Sequence, residues 1–427
     1  MKKKLIFAGA VVLMAAAAVT AYMANYRPDP FDLLNANIEA LAQDENPNCE
    51  NGCLDNGNGC YCNFFIRIIK KQFGKLINLG QIVMPTKVVK LETVKKLWLL
   101  LSVLVLAGCE KTDRTEKYQK KRDRVVDVHS RIREIDLGNE LLVGAMPRLF
   151  LMGDYLLILD VRSYDNLLHV IDKNTFAHLR SGIKRGRGPG EIVSPGNLII
   201  DESRCKFLIP DYGKQVIYGF GFHDFLKQSD YKPEVEMQMQ AKSFPADSYL
   251  LGDDLLMGII IEPIGTSNFR ESLAKWSLKS GDISPMPYEH PDIERRRIDF
   301  AVSVEKGLYA EVYHHHDLIT IGNMDGTLRY NIYGPRWDAA TSNAYLYYGK
   351  PLFCGDRIIV AYSGKANDSE GCEPTNFVVF DLEGNYLQTW KTGYRLSDFC
   401  YDAENNRLIL ALDEAVQFAC LDLDNNL

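Results

Sequence analysis

The sequence predicts an all-β chain: from about Val125 to Leu427 it reads as a six-bladed β-propeller, preceded by an N-terminal export and leader region. Three observations point there. Downstream of Val125, apolar or alternating runs of about four to eight residues are separated by Asp, Asn, Gly and Pro turns, the pattern of strands rather than of helices. The turns Gly153-Asp154, Ser203-Arg204, Asp253-Asp254, Glu305-Lys306, Gly355-Asp356 and Asn405-Asn406 each open a strong strand. Anchors at 154, 204, 253, 305, 356 and 405 are separated by 50, 49, 52, 51 and 49 residues, the period of propeller blades, each stable only against its neighbours. The last repeat stops after three strands, at Asp424-Asn425-Asn426, and needs a cover for its outer edge. The run Val125 to Leu137, lying before the first repeat, is the expected fourth strand, closing the ring as a clasp.

At 427 residues, 46% of them apolar and 25% charged, with a net charge of −7, the chain has an ordinary globular composition. It lacks the basic excess that binding a phosphate backbone requires, which argues against a nucleic-acid partner. Five of its ten cysteines, Cys205, Cys354, Cys372, Cys400 and Cys420, fall in the large domain, mostly in apolar runs where Cys behaves as a small buried hydrophobe.

Residues 1–24 pair Lys2-Lys3-Lys4 with an apolar run and read as a signal sequence or anchor. Residues 25–83 hold Cys49, Cys53, Cys60 and Cys62 in Asn-Gly-rich turns, then a basic connector. Four thiolates could complete a zinc or iron–sulfur sphere. The exported context favours a disulfide-linked turn. A second signal spans 84–109: basic residues, the apolar run Leu97 to Leu106, and the lipobox Leu106, Ala107, Gly108, Cys109. Small residues beside the scissile bond admit a peptidase, and the Cys109 thiol would carry the lipid. Residues 63–96 carry eight Lys or Arg against one acid, which opposes translocation and speaks against both signals acting in one chain. Two joined reading frames, the second opening near Met84, explain the order of segments more simply. Residues 110–124 are expected to be a polar tether, and 125–427 the propeller.

Asn37-Ile38-Glu39-Ala40-Leu41-Ala42, behind the leader and ahead of the cysteines, resembles the NVEALA family of small exported bacterial peptides over about residues 1–62. Between the first two repeats stands Gly186, Arg187, Gly188, Pro189, Gly190, Glu191, then Ser194-Pro195. There the chain resembles the TolB-like six-bladed propeller lipoproteins of Gram-negative bacteria, over about 109–427. That resemblance implies an envelope protein held at a membrane by a lipid anchor, facing the periplasm or the cell surface.

Nothing in the spacing identifies a catalytic set, a cofactor or a metal. The glycine turn could cradle a phosphate, but no Lys-Ser or Lys-Thr follows and Pro189 removes a donor. In His314-His315-His316-Asp317 only alternate side chains could share one ion, so an exposed hairpin is expected. Arg295-Arg296-Arg297 reads as a solvated turn. The expected function is non-enzymatic binding of a peptide, glycan or protein partner at the channel mouth. A propeller enzyme (lyase, lactonase or glycan hydrolase) and a structural component of an envelope complex are the alternatives. Three or more ionisable groups at the channel would favour the enzyme, an aromatic rim the binding protein.

Overall fold

A computed structural model describes residues 115–427 apart from 139–140, 240–244, 265–268, 295, 341–342, 370 and 425–426. The leader, the cysteine cluster and the lipobox with Cys109 lie outside the described residues. Three short strands come first: β1 (Glu116–Tyr118), β2 (Val125–Asp127) and β3 (Ile132–Glu134). Blade one is β4 (Arg148–Met152), β5 (Tyr155–Leu159), β6 (Asn166–Asp172) and β7 (His178–Lys184). Blade two is β8 (Ile199–Asp201), β9 (Lys206–Asp211), β10 (Val216–Gly221) and β11 (Glu234–Gln238), with the one-turn helix α1 (Phe222–Lys227) before its last strand. Blade three is β12 (Pro245–Leu250), β13 (Leu255–Pro263), β14 (Phe269–Ser277) and β15 (Ile283–Pro285). Blade four is β16 (Ile298–Ser303), β17 (Leu308–Tyr313), β18 (Leu318–Asn323) and β19 (Leu328–Tyr333). Blade five is β20 (Tyr345–Cys354), β21 (Arg357–Ala366), β22 (Asn376–Asp381) and β23 (Tyr386–Lys391). Blade six has β24 (Leu396–Asp402), β25 (Arg407–Leu412) and β26 (Phe418–Asp422).

The fourth strand of blade six is β3, antiparallel to β26 with Cys420 opposite Arg133. The expected clasp is therefore present, but it uses only Ile132–Glu134 of the run. Its earlier half goes elsewhere: β2 adds a parallel fifth strand to β23 of blade five, and β1 adds one to β19 of blade four. The stretch read as a polar tether, and the domain start at Val125, are thereby corrected. From Glu116 onward the chain is a strap around the outer edges of blades four, five and six. Polar residues suit it because an edge strand needs only backbone pairing on one side.

The core sits between blades. In β17 all six side chains are buried, since a second strand is covered on both faces. Leu308, Ala310 and Val312 pack on Tyr348, Ile358 and Val360 of blade five. Tyr309 and Tyr313, on the opposite face, pack with Ile259 and Leu273 of blade three. The period of two thus serves two neighbours at once. An apolar cluster fills each of the six gaps, and Leu149, Ile158, Ile409 and Phe418 join blade six to blade one. Cys354, Cys400 and Cys420 are buried free thiols in these layers. Burial pushes Cys400 up to about 12, so it acts as a small hydrophobe. Among the described residues no helix is long and apolar enough to cross a membrane.

Candidate functional site at the channel mouth

Antiparallel blades put every first–second and third–fourth strand turn on one face of the disc. The connections between blades and between second and third strands lie on the other; blade two alone carries a long third–fourth connection, which includes α1. The six repeating turn anchors are all on the tight-turn face. Six or seven residues before each anchor, at the other end of the inner strand, stand Arg148, Asn197, Asp247, Asp299, Lys350 and Asp398, one from each blade, at the opposite face. These residues converge on the axis. Asp247 of blade three feels the charges of Asp299, Arg148 and Lys350, from blades four, one and five. Asp299 feels Arg148 and Lys350 likewise.

The ring mixes signs. Lys350 Nζ donates to Asp398 Oδ1 at 2.8 Å, and the Leu149 N–H donates to Asp398 Oδ2 at 2.6 Å, so Asp398, with its side chain buried, is matched on both oxygens. Asp299 meets His314 Nε2 at 3.3 Å. Burial would raise the Asp299 carboxyl, but the His314 contact, with Arg148 and Lys350 beyond it, holds it below the usual carboxylate range. Asp247 goes the other way. Burial and the neighbouring Asp299 charge push it up to about 6, against Arg148, the Asn197 amide and Lys350. Its side chain is half-buried. Tyr249, on the same strand, is 37% exposed to the channel and sets its ring edge-on to Phe300 at 5.1 Å. Behind the ring, burial pushes Glu271 up to about 7, although it accepts the Ile298 N–H at 2.7 Å.

The residues singled out by sequence fall mostly outside this ring. The turn Gly186, Arg187, Gly188, Pro189, Gly190, Glu191 connects blades one and two, and fills itself. Glu191 Oε2 accepts the Gly188 N–H at 2.7 Å, while Lys214 Nζ ties the Gly188 and Glu191 carbonyls at 2.9 and 2.7 Å. A Cβ on Gly188 would stand 2.8 Å from Glu191 Oε2, so the glycine admits the chain's own carboxylate in the place a phosphate would take. The three histidines diverge: His314 reaches the ring, His315 Nδ1 lies 2.9 Å from the Tyr345 carbonyl, and His316 Nδ1 3.2 Å from that of Asp338. The exposed hairpin expected there is corrected, because His316 and Asp317 are buried. Asp317 accepts the Tyr348 hydroxyl at 2.5 Å and pairs with Arg122 of the strap at 3.1 Å. Arg296, read as part of a solvated turn, is 2% exposed and pairs with Glu289 at 2.6 Å; Arg295 lies outside the described residues. These residues lie in the β17–β18 turn and in the connection before β16, and ion pairs and hydrogen bonds with neighbouring segments make their burial tolerable.

Two other clusters carry less. Ser181 Oγ lies 2.7 Å from His169 Nδ1 and 2.9 Å from His178 Nε2 on the outer strands of blade one. Asp160, the acid beside His169, is engaged by the N–H groups of Gly144 and Arg162, so no relay is assembled. A shallow depression of about 510 Å³, lined by Asp127, His129, Ser130, Lys391 and Gly393, lies where the strap meets blade five, on the outer wall. Among the described residues no group of three or more His, Cys, Asp or Glu is placed to hold a metal.

Six blades around a charged axial mouth define the class: a six-bladed β-propeller with a polar channel site. Among solved structures the chain is similar to a DUF4221-family protein from Bacteroides vulgatus, at 10% identity and TM-score 0.50, over 71% of this chain and 99% of that one. It also matches a Bacteroides fragilis protein named as exported (14%, TM-score 0.46, 69% and 87% covered) and BamB from Moraxella catarrhalis (12%, TM-score 0.34, 65% and 69%). At these identities the likeness concerns the fold alone. No family model and no curated protein matches the chain.

Proposed function

We propose that this chain is an exported propeller, lipid-anchored through Cys109, that binds a small polar ligand or the end of a peptide or glycan at its channel mouth. The observation that carries the binding site is the ring of Arg148, Asn197, Asp247, Asp299, Lys350 and Asp398. One position recurs once per blade, and at the axis it is polar in all six. Apolar side chains would fill a merely structural axis at lower desolvation cost. Mixed charge lets a dipolar ligand replace lost hydration on both sides. The lipobox supports the address, and the strap beginning at Glu116 puts the fold within a few residues of the acylated position.

A second reading, the propeller enzyme, is favoured by the five ionisable groups gathered at the channel and by a contrast between two of them. Asp247 and Asp299 are pushed in opposite directions, the separation that assigns an acid and a base in carboxylate enzymes. One experiment separates the two readings. Immobilised wild-type protein and an Arg148→Met/Asp247→Asn/Asp299→Asn variant are exposed to a pool of envelope-derived small molecules, and retained compounds are read by mass spectrometry. Compounds held by wild type alone, and released unchanged, are the expected result. Release as fragments supports the enzyme. Equal retention by the variant overturns the channel site. Intact mass of the protein from native membranes tests the anchor: a product beginning at acylated Cys109 is expected, and one retaining the Cys49 to Cys62 segment refutes it.

A further inference from the structure

The acidic half of the mouth has a local geometry of its own, and its use as an amine site rests on the mouth being the binding site. Asp247 holds the left-handed backbone conformation (φ 42°), in a β-bulge between Ala246 and Tyr249. Such bulges re-aim side chains, and a non-glycine residue persists in this region only where its surroundings hold it there. The bulge turns Ser248 inward, where its Oγ accepts the Trp276 Nε1–H at 3.1 Å. Asp247 and Tyr249 are left facing the channel, where Tyr249 sits among the charges of Asp299, Asp247 and Asp398.

The charges there are unevenly matched at close range. Lys350 is held by Asp398 and Asp299 by His314. Asp247 accepts a hydrogen bond from the neutral amide of Asn197. Two carboxylates from adjacent blades, with a phenol ring exposed beside them, offer a compact cation what it needs: opposite charge, acceptors for several N–H groups and a π face. The described residues lack the third ligand a bare metal would want.

We infer that Asp247 and Asp299, with the Tyr249 ring, bind a protonated primary amine carried by the ligand. The amine needs Asp247 ionised. Burial and the Asp299 charge, against Arg148, the Asn197 amide and Lys350, push it up to about 6 before ligand arrives, while the neighbouring Tyr212 and Tyr249 phenols, both raised, stay neutral. At pH 5 about one tenth would be ionised, so affinity should fall roughly tenfold between pH 7.5 and pH 5.

The test uses detergent-solubilised full-length protein and saturation-transfer NMR with four probes: the dipeptide Ala-Ala, glucosamine, and the N-acetylated form of each. The expected result is binding of at least one free amine, at least tenfold tighter than its acetylated partner and weaker at pH 5. Asp247→Asn should abolish it while leaving thermal unfolding unchanged. Ala-Ala alone binding identifies a peptide terminus, and glucosamine alone an amino sugar. Equal binding of free and acetylated forms, lost in Arg148→Met, overturns the ammonium site and leaves the channel reading standing. Binding untouched by Asp247→Asn and Arg148→Met overturns both. Failure of every free amine to bind overturns the ammonium site.

Discussion

Arg122 is where the strap enters the ring, and replacing it with Met isolates one interaction. Its guanidinium donates to the Tyr348 hydroxyl at 2.6 Å and lies 3.1 Å from Asp317, whose side chain is fully buried. The rings of Tyr348 and Tyr362 stand 5.6 and 5.3 Å from it. Met keeps most of the stem volume and removes the charge. Breaking a buried pair from one side costs about 3–5 kcal/mol, because the remaining ion is uncompensated. Asp317 would retain the Tyr348 hydroxyl and the Arg336 N–H, at 2.5 and 3.0 Å, so a cost shifted below that range, roughly 2–4 kcal/mol, is expected. For a propeller of about 310 residues, at roughly 1.5 °C per kcal/mol, calorimetry should show a fall of about 3–6 °C in Tm. Adding Asp317→Asn should recover part of the loss, since the stranded charge is then gone, giving a coupling of about 1–3 kcal/mol. Hydrogen exchange at Gln119, whose N–H is bonded to the Tyr333 carbonyl, should quicken in the single variant. A Tm within about 1 °C of wild type, or losses that simply add, would refute the reasoning.

Other expectations rest on the same structure. Glu271→Gln should stabilise at pH 8 and not at pH 4. Burial raises the folded-state carboxyl to about 7, so stability is full below the unfolded value near 4.5 and is lost as pH climbs toward 7. The gain at pH 8, read from urea unfolding, is on the order of 3 kcal/mol. Gly334→Ala would put a Cβ about 2 Å from the Asp317 carboxylate and should cost several kcal/mol in urea unfolding, with the strap loosened. Glu191→Ala removes the acceptor of the Gly188 N–H and should cost about 1–2 kcal/mol while leaving ligand retention at the mouth unchanged. Full retention of stability by Glu191→Ala would mean that the glycine turn is not self-closed.

The repeat was legible because a turn is a local object. Asp, Asn and Gly at the tight hairpins recur at a nearly constant interval, and each introduces a strand dense in Leu, Ile and Val. The clasp was legible from a deficit of one strand. The strap was not, since Glu116 to Tyr118 is polar, three residues long and paired with a strand more than two hundred positions away. The burial of Arg122, Arg296 and Asp317 was also hidden, because the partners that make it tolerable lie on other segments of the fold. The charged ring was within reach. Four of its residues lie six positions before a turn anchor and two, Asn197 and Asp398, lie seven before, so the series Arg, Asn, Asp, Asp, Lys and Asp emerges only with a one-residue slip in blades two and six. Contiguous runs, the three histidines and the three arginines, stand out more readily in a linear sequence, yet the histidines fall in a hairpin turn where each finds a different partner.

Crystals soaked with a library of small polar fragments would locate the binding surface. Hits clustered within hydrogen-bond distance of Arg148, Asp247, Asp299 or Lys350 are predicted. Hits concentrated instead in the depression beside Asp127 and His129, with the channel mouth left to water, would contradict the assignment of the mouth as the functional site.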